Sequence, residues 1–161
     1  MLTPGKKPKL GFKVSALVNG TPVETTFAKL MAEGPTVVSV WMRNHTSSCD
    51  KQSVALAKHE KAILKAGYQL IGISRDSCAS HAKYAAKHAL KYTLVADPED
   101  LFSQALDAVI EKSMYGKKYQ GPARAAYVFD TTGKLTAVID KVDVAEHGKQ
   151  VLDVLKNAHR P

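Results

Sequence analysis

Cysteine is scarce in this chain, with only Cys49 and Cys78 among 161 residues. Two thiols cannot supply a disulfide framework. The opening "MLTPGKKPKLGF" has lysines but no apolar core behind them, so no secretory signal is expected. Together these features place the protein in a reducing cytoplasm, where a thiol stays free to react. Long hydrophobic runs are missing too: none approaches the ~18 residues of a membrane span, so no membrane association is expected. There is no internal repeat and no low-complexity tract. Acidic charge is in deficit, with 15 Asp and Glu against 23 Lys and Arg and a net charge of +8. The basic residues are nevertheless spread from Lys6 to Arg160, with "GKKPK" and "YGKKYQG" as the only small clusters. That pattern describes a solvated basic surface, not a nucleic-acid-binding stripe, though the excess would attract acidic partners or anionic peroxides.

What is present is a regular order of elements, and the length suits one domain spanning residues 1–161. "LGFKVSALVNGTPVETTF" predicts two strands around Asn19-Gly20, a strong hairpin signal. "FAKLMAEG" is a short helical turn, and "TVVSVW" (36–41) is a β-branched run expected to be buried on both faces. "CDKQSVALAKHEKAILKAG" predicts one continuous helix ending at Gly67. "YQLIGIS" (68–74) is a second buried strand, and Asp76-Ser77 caps the helix after it. "YTLVAD" is a shorter strand, followed by "PEDLFSQALDAVI" (98–110) as a helix with Pro98 near its start. "SMYGKKYQGPAR" reads as a loop, "AAYVFDTTGKLTAVID" as an antiparallel hairpin, and "AEHGKQVLDVLKNA" as a closing amphipathic helix. The order implies parallel crossovers plus antiparallel additions. It predicts a thioredoxin-like α/β sandwich: a mixed central sheet, helices on both faces, and an N-terminal β-hairpin extension.

That plan gives Cys49 a chemical position. It follows the strand at 36–41 and opens the next helix, at the carboxyl end of a parallel strand, where functional groups gather in open α/β sheets. Unpaired N–H groups and the helix dipole favour an anion there. A thiol so placed can have its pKa lowered from ~8.5 toward ~6, raising the thiolate fraction at neutral pH about thirty-fold. If "AAYVFD" runs antiparallel to the central strands, Arg124 at its start reaches the same sheet edge. Thr46 stands three residues before the cysteine. Taken singly, Arg124 also reads as a surface ion-pair partner, Thr46 as a helix cap and Cys49 as a small core residue. Together they suit attack on a peroxide O–O bond, with hydroxyl, guanidinium and helix N–H groups stabilising the departing oxygen.

At this level the sequence resembles the peroxiredoxins, in particular the bacterioferritin comigratory protein (PrxQ) group, over nearly the whole chain. Thr46 and Cys49 match the T-x-x-C of that family's P-x-x-x-T-x-x-C motif, and Gln52 matches the Glu or Gln three residues on. "IGISRDS", "SHAKYAAKHAL" and "GPARAAYVFDTTGKL" resemble further family stretches, the last placing Arg124 on the active-site arginine. The resemblance implies a thiol peroxidase acting on hydrogen peroxide and organic hydroperoxides through a cysteine sulfenic acid. It further implies no cofactor, a thioredoxin or similar thiol donor, and a monomer or weak dimer. Gln52 and Met42 are then expected at the substrate. Met42 occupies the motif's proline position, and the family's resolving-cysteine positions are Val54 and Ala85.

Three readings follow for the rest of the cycle. Cys78 opens the helix after the neighbouring parallel strand and is a candidate resolving thiol, forming a Cys49–Cys78 disulfide. Alternatively the protein is a one-Cys peroxidase with an external thiol, or a non-catalytic redox-sensing or binding module. His45, Cys49, Cys78 and His81 also form a Cys2His2 set, but its spacing does not match common zinc sites, and no metal is assigned. His59, His88, His147 and His159 read as helix-face residues without a signal.

Overall fold

Strand β3, Thr36–Val40, is buried at every position because it sits inside a sheet covered on both faces. In the computed structural model, which describes residues 1–158, it alternates cleanly between two apolar layers. Val38 and Val40 enter one layer, while Val37 and the following Trp41 enter the other. Ser39 lies on the second face, fully buried among those hydrophobic residues. β3 pairs in parallel with β4 (Gln69–Ser74), which pairs in parallel with β5 (Thr93–Ala96). The hairpin β1 (Lys13–Val18) and β2 (Thr21–Thr26) extends the sheet beyond β5, and Asn19 and Gly20 in its turn both have positive φ. On the other side β8 (Ala125–Phe129) runs antiparallel to β3, and β9 (Leu135–Ile139) completes the order β2-β1-β5-β4-β3-β8-β9.

The helices divide by the layer they cover. Helix α1 (Phe27–Met31) and helix α5 (Leu101–Ala105) send Phe27, Met31 and Phe102 into the first layer. Helices α2 (Ser47–Lys58), α3 (Glu60–Lys65), α4 (Cys78–His88) and α6 (His147–Ala158) cover the second through Leu56, Ile63, Tyr84, Val151 and Leu155. This is the expected thioredoxin-like sandwich, and Ser77 caps α4 by accepting from the Ser80 N–H. No described helix is long and apolar enough to cross a membrane.

Three expectations are corrected. The helix read as continuous from 49 to 67 breaks at His59. The His59 N–H donates to the Leu56 carbonyl, while its ring Nδ1 lies 3.3 Å from the Ala55 carbonyl that a continuous helix would use. Side-chain competition for that carbonyl ends α2. The helix read from 98 to 110 stops at Ala105, and most of the segment read as a loop, 113–124, belongs to a hairpin, β6 (Val109–Met114) and β7 (Lys117–Pro122). Tyr115 and Gly116 at its tip have φ of 52° and 77°, the positive pair that a two-residue hairpin turn requires and that glycine adopts freely. Its polar composition hid the strand pattern.

The start of α6 lies against the α2–α3 junction because Gly148 has no side chain. A Cβ there would overlap the Ala55 carbonyl oxygen and the His59 ring. Gly148→Ala should therefore lower stability by about 1–3 kcal/mol through overpacking. An unchanged urea midpoint would show that the two helices can move apart without penalty.

Candidate active site

Thr46 is the N-cap of α2, and Cys49 sits in the helix's first turn. The sulfur is almost fully enclosed, with the residue 2% exposed. It lies in the second apolar layer near Trp41, Leu56 and Tyr84. The register of β8 on β3 pairs Ala125 with Val40, which brings Arg124, just before β8, to the end of β3. Its Nη2 donates to Cys49 Sγ at 3.5 Å, and its Nη1 donates to Gln52 Oε1 at 2.6 Å. Thr46, Cys49 and Arg124 are thus brought together.

The thiol's acidity is a contest between burial and these neighbours. Burial pushes the Cys49 pKa up, but the Thr46 hydroxyl, the backbone of Arg43 and Met42 and the Arg124 charge outweigh it. The net direction is down from the ordinary 9.0, toward the thiolate. Thr46 has one hydroxyl proton and two acceptors for it, the sulfur and the Arg43 carbonyl at 2.9 Å. A thiolate draws that proton; a neutral thiol leaves it on the carbonyl.

Gln52 corrects an expectation. It is fully buried, its Nε2 donating to Ser39 Oγ at 2.9 Å and to the Val40 carbonyl at 3.1 Å. With Oε1 held by Arg124, its amide oxygen and nitrogen are both engaged within the protein. Met42 lines a cleft of about 410 Å³ with Arg43, Arg75, Lys112, Tyr119 and Pro122. Burial lowers the Lys112 pKa, and Arg124 lowers it further, while Cys49 raises it. This lysine belongs to β6, which the sequence reading did not recognise as a strand. The Tyr115-Gly116 pair was the one turn signal available for it.

Cys78 is placed differently. It lines a separate cleft of about 450 Å³ with Lys13, Ser15, Glu24 and Asp97. Burial raises its pKa, and the Glu24 charge adds to that. A pinned loop connects the starts of α2 and α4. Asn44 accepts from Trp41 Nε1 at 2.9 Å, donates its backbone N–H to Asp76 Oδ2 at 2.9 Å, and donates Nδ2 to Ser80 Oγ at 3.2 Å. Asn44 Nδ2 also lies 3.0 Å from His81 Nδ1, and His81 Nε2 lies 2.9 Å from the Val95 carbonyl. His81 is fully buried with both ring nitrogens engaged. Among the described residues, no three His, Cys, Asp or Glu side chains are grouped to hold a metal ion. His88 lies 3.8 Å from Asp50, which accepts from the Tyr84 hydroxyl at 2.8 Å. His147, expected on a helix face, is fully buried, and His159 lies outside the described residues.

A sulfur of lowered pKa at a helix start, a guanidinium beside it and a thioredoxin-like sheet point to a thiol-based redox enzyme. The AhpC/TSA family model matches residues 10–138, and the chain belongs to that family. It is similar to Peroxiredoxin Bcp of Xanthomonas campestris pv. campestris, at 32% identity over 120 residues, 74% of this chain and 75% of the relative. Peroxiredoxin Bcp of Escherichia coli K12 is 32% identical over 111 residues, 69% of this chain and 71% of the relative. A solved structure of the Xanthomonas campestris bacterioferritin comigratory protein superposes with a TM-score of 0.84 at 27% identity, covering 96% of this chain and 98% of that one. That structure comes from trapped intermediate and ligand complexes bearing on alkyl peroxide reduction. The activity that follows is that of a peroxiredoxin, a thiol-dependent peroxidase.

Because only the thiolate attacks, the rate of Cys49 oxidation should rise with pH through the lowered pKa, with its midpoint below 9.0, and then level off. Arg124→Ala should move that inflection up and slow oxidation about 100-fold. Thiolate absorbance and stopped-flow oxidation by hydrogen peroxide measure the two effects. An unshifted inflection would mean that Arg124 does not stabilise the sulfur anion.

Proposed function

We propose that Cys49 is the peroxidatic nucleophile, reducing hydrogen peroxide and organic hydroperoxides by way of a sulfenic acid. The observation that carries this reading is the Arg124 contact to a sulfur in the first turn of α2. The thiolate attacks the terminal peroxide oxygen; an S–O bond forms as the O–O bond breaks. The departing alkoxide or hydroxide takes a proton and leaves as alcohol or water. Sulfur gives up two electrons and becomes Cys49–SOH. Arg124 and Thr46 hydrogen-bond to oxygens that gain charge along this path, where preorganised donors contribute most.

The sulfenic acid is then reduced by an external thiol donor, of which a thioredoxin is the natural class. The donor thiol attacks the oxidised sulfur and water leaves; a second donor thiol cleaves the mixed disulfide and returns Cys49. Val54 and Ala85 offer no resolving thiol. Two features favour this one-Cys cycle over a Cys49–Cys78 disulfide: Cys78 lines a cleft that Cys49 does not, and the Asn44 bonds to Asp76 and Ser80 tie the starts of α2 and α4 in their present positions. Two unpaired cysteines fit a cytoplasmic setting.

Intact mass after one equivalent of hydrogen peroxide, with a sulfenic-acid trap present, tests both parts. Wild type and Cys78→Ser should each gain a single trapped adduct on Cys49. A loss of two hydrogens in wild type only would make Cys78 the resolving thiol, and no rapid reaction in either would sink the peroxidatic role of Cys49.

A further inference from the structure

Behind Arg124 lies a buried polar chain in an otherwise apolar layer. Gln52 Nε2 donates to Ser39 Oγ at 2.9 Å, and Ser39 Oγ lies 3.0 Å from His147 Nε2. His147 Nδ1 lies 3.2 Å from Gln150 Oε1. Gln150 Nε2 donates to the Lys141 carbonyl at 2.7 Å, and its Oε1 also accepts from the Asp143 N–H at 3.2 Å. Gln52, Ser39 and His147 are each 0% exposed.

The protons in this chain can be assigned in one way. Arg124 only donates, so the Gln52 oxygen must face it, and both amide protons of Gln52 then go to Ser39 Oγ and the Val40 carbonyl. Ser39 accepts from Gln52, so its own proton goes to His147 Nε2. His147 is therefore neutral with its proton on Nδ1, donating to Gln150. A second ring proton would meet Ser39 Oγ, displacing the hydroxyl proton from its only acceptor. Burial favours the neutral ring; the Gln150 bond and the Asp143 charge oppose this, and the Arg124 charge supports it. Those are the charged groups facing His147, with the His59 ring beside its neighbour Gly148.

We propose that Ser39 and His147 are positioning residues for peroxide reduction, holding the Gln52 amide so that the Arg124 guanidinium is aimed at Cys49. The inference rests on Cys49 and Arg124 acting as proposed above. Arg124 is only half-buried and sits between strands β7 and β8, so its direction depends on what it can bond to. Among the described residues, Gln52 is its one hydrogen-bond acceptor besides the sulfur. A buried amide tethered at two points has one orientation; tethered at one, it can turn.

A double-mutant cycle tests this through the stopped-flow rate of Cys49 oxidation by hydrogen peroxide. Ser39→Ala should slow oxidation about five- to tenfold in the wild-type background. On an Arg124→Ala background it should slow it less than about twofold, because there is no guanidinium left to aim. Equal slowing in both backgrounds, or none in either, would overturn the proposal. If Ser39→Ala fails to fold, the pair His147→Leu and His147→Gln reads the same relay: leucine should slow the reaction, and glutamine, which keeps an acceptor for Ser39, should recover most of the loss. Equal rates in that pair would also overturn it. The peroxidatic reading has its own control, since slow oxidation of wild type would remove both ideas, whereas fast oxidation slowed by Arg124→Ala alone would remove only the relay.

Discussion

Val40 at the end of β3 faces Ala125 at the start of β8, and this antiparallel register sets the distance between the sulfur and the guanidinium. Cys49 follows β3 in the chain, while Arg124 comes before β8. Only opposed strand directions bring an element's end and another's beginning to the same edge. A slip of one residue would turn Arg124 to the opposite face of the sheet. The register is well defined because both faces of β3 and β8 are close-packed, so strands that exchanged faces would have to repack two apolar layers at once.

The site works against its own surroundings. An apolar layer disfavours an anion, and burial is the largest influence on the Cys49 thiol. The anion is favoured because several small donors converge on it. The same low dielectric that opposes the thiolate strengthens each of those bonds. Burial and reactivity are therefore compatible here, provided that every donor is held in place.

Holding them in place draws on elements far apart in sequence. Gln52 comes from α2, Ser39 from the middle of β3 and His147 from the first turn of α6. The close seating of α6 on the α2–α3 junction, possible because position 148 is glycine, puts His147 within reach of Ser39. A serine inside a valine-rich strand would be a liability without these partners, since an unpaired buried hydroxyl is destabilising. Here it accepts one bond and donates another.

Local chemistry in the sequence was enough for the β3 and β4 strands, the Asn19-Gly20 turn, the Ser77 cap and Cys49 at the start of a helix, because each depends on neighbours within a few residues. Arg124 was legible through topology together with the family resemblance. The break at His59 and the β6–β7 hairpin were not, since one depends on a side chain competing for a carbonyl and the other on a polar strand pair with weak alternation. Gln52 was recognised, but the resemblance alone set it at the substrate; its two buried acceptors reveal its place behind the arginine. His147 looked like any helix-face histidine, and Cys78 like a neighbour of Cys49. Periodicity and capping thus determined which residues could form each element and which thiol would meet a helix N-terminus. Tertiary structure decided which side chains meet across 75 to 108 residues of chain, because hydrogen bonds among buried groups depend on strand register and helix seating, not on sequence spacing.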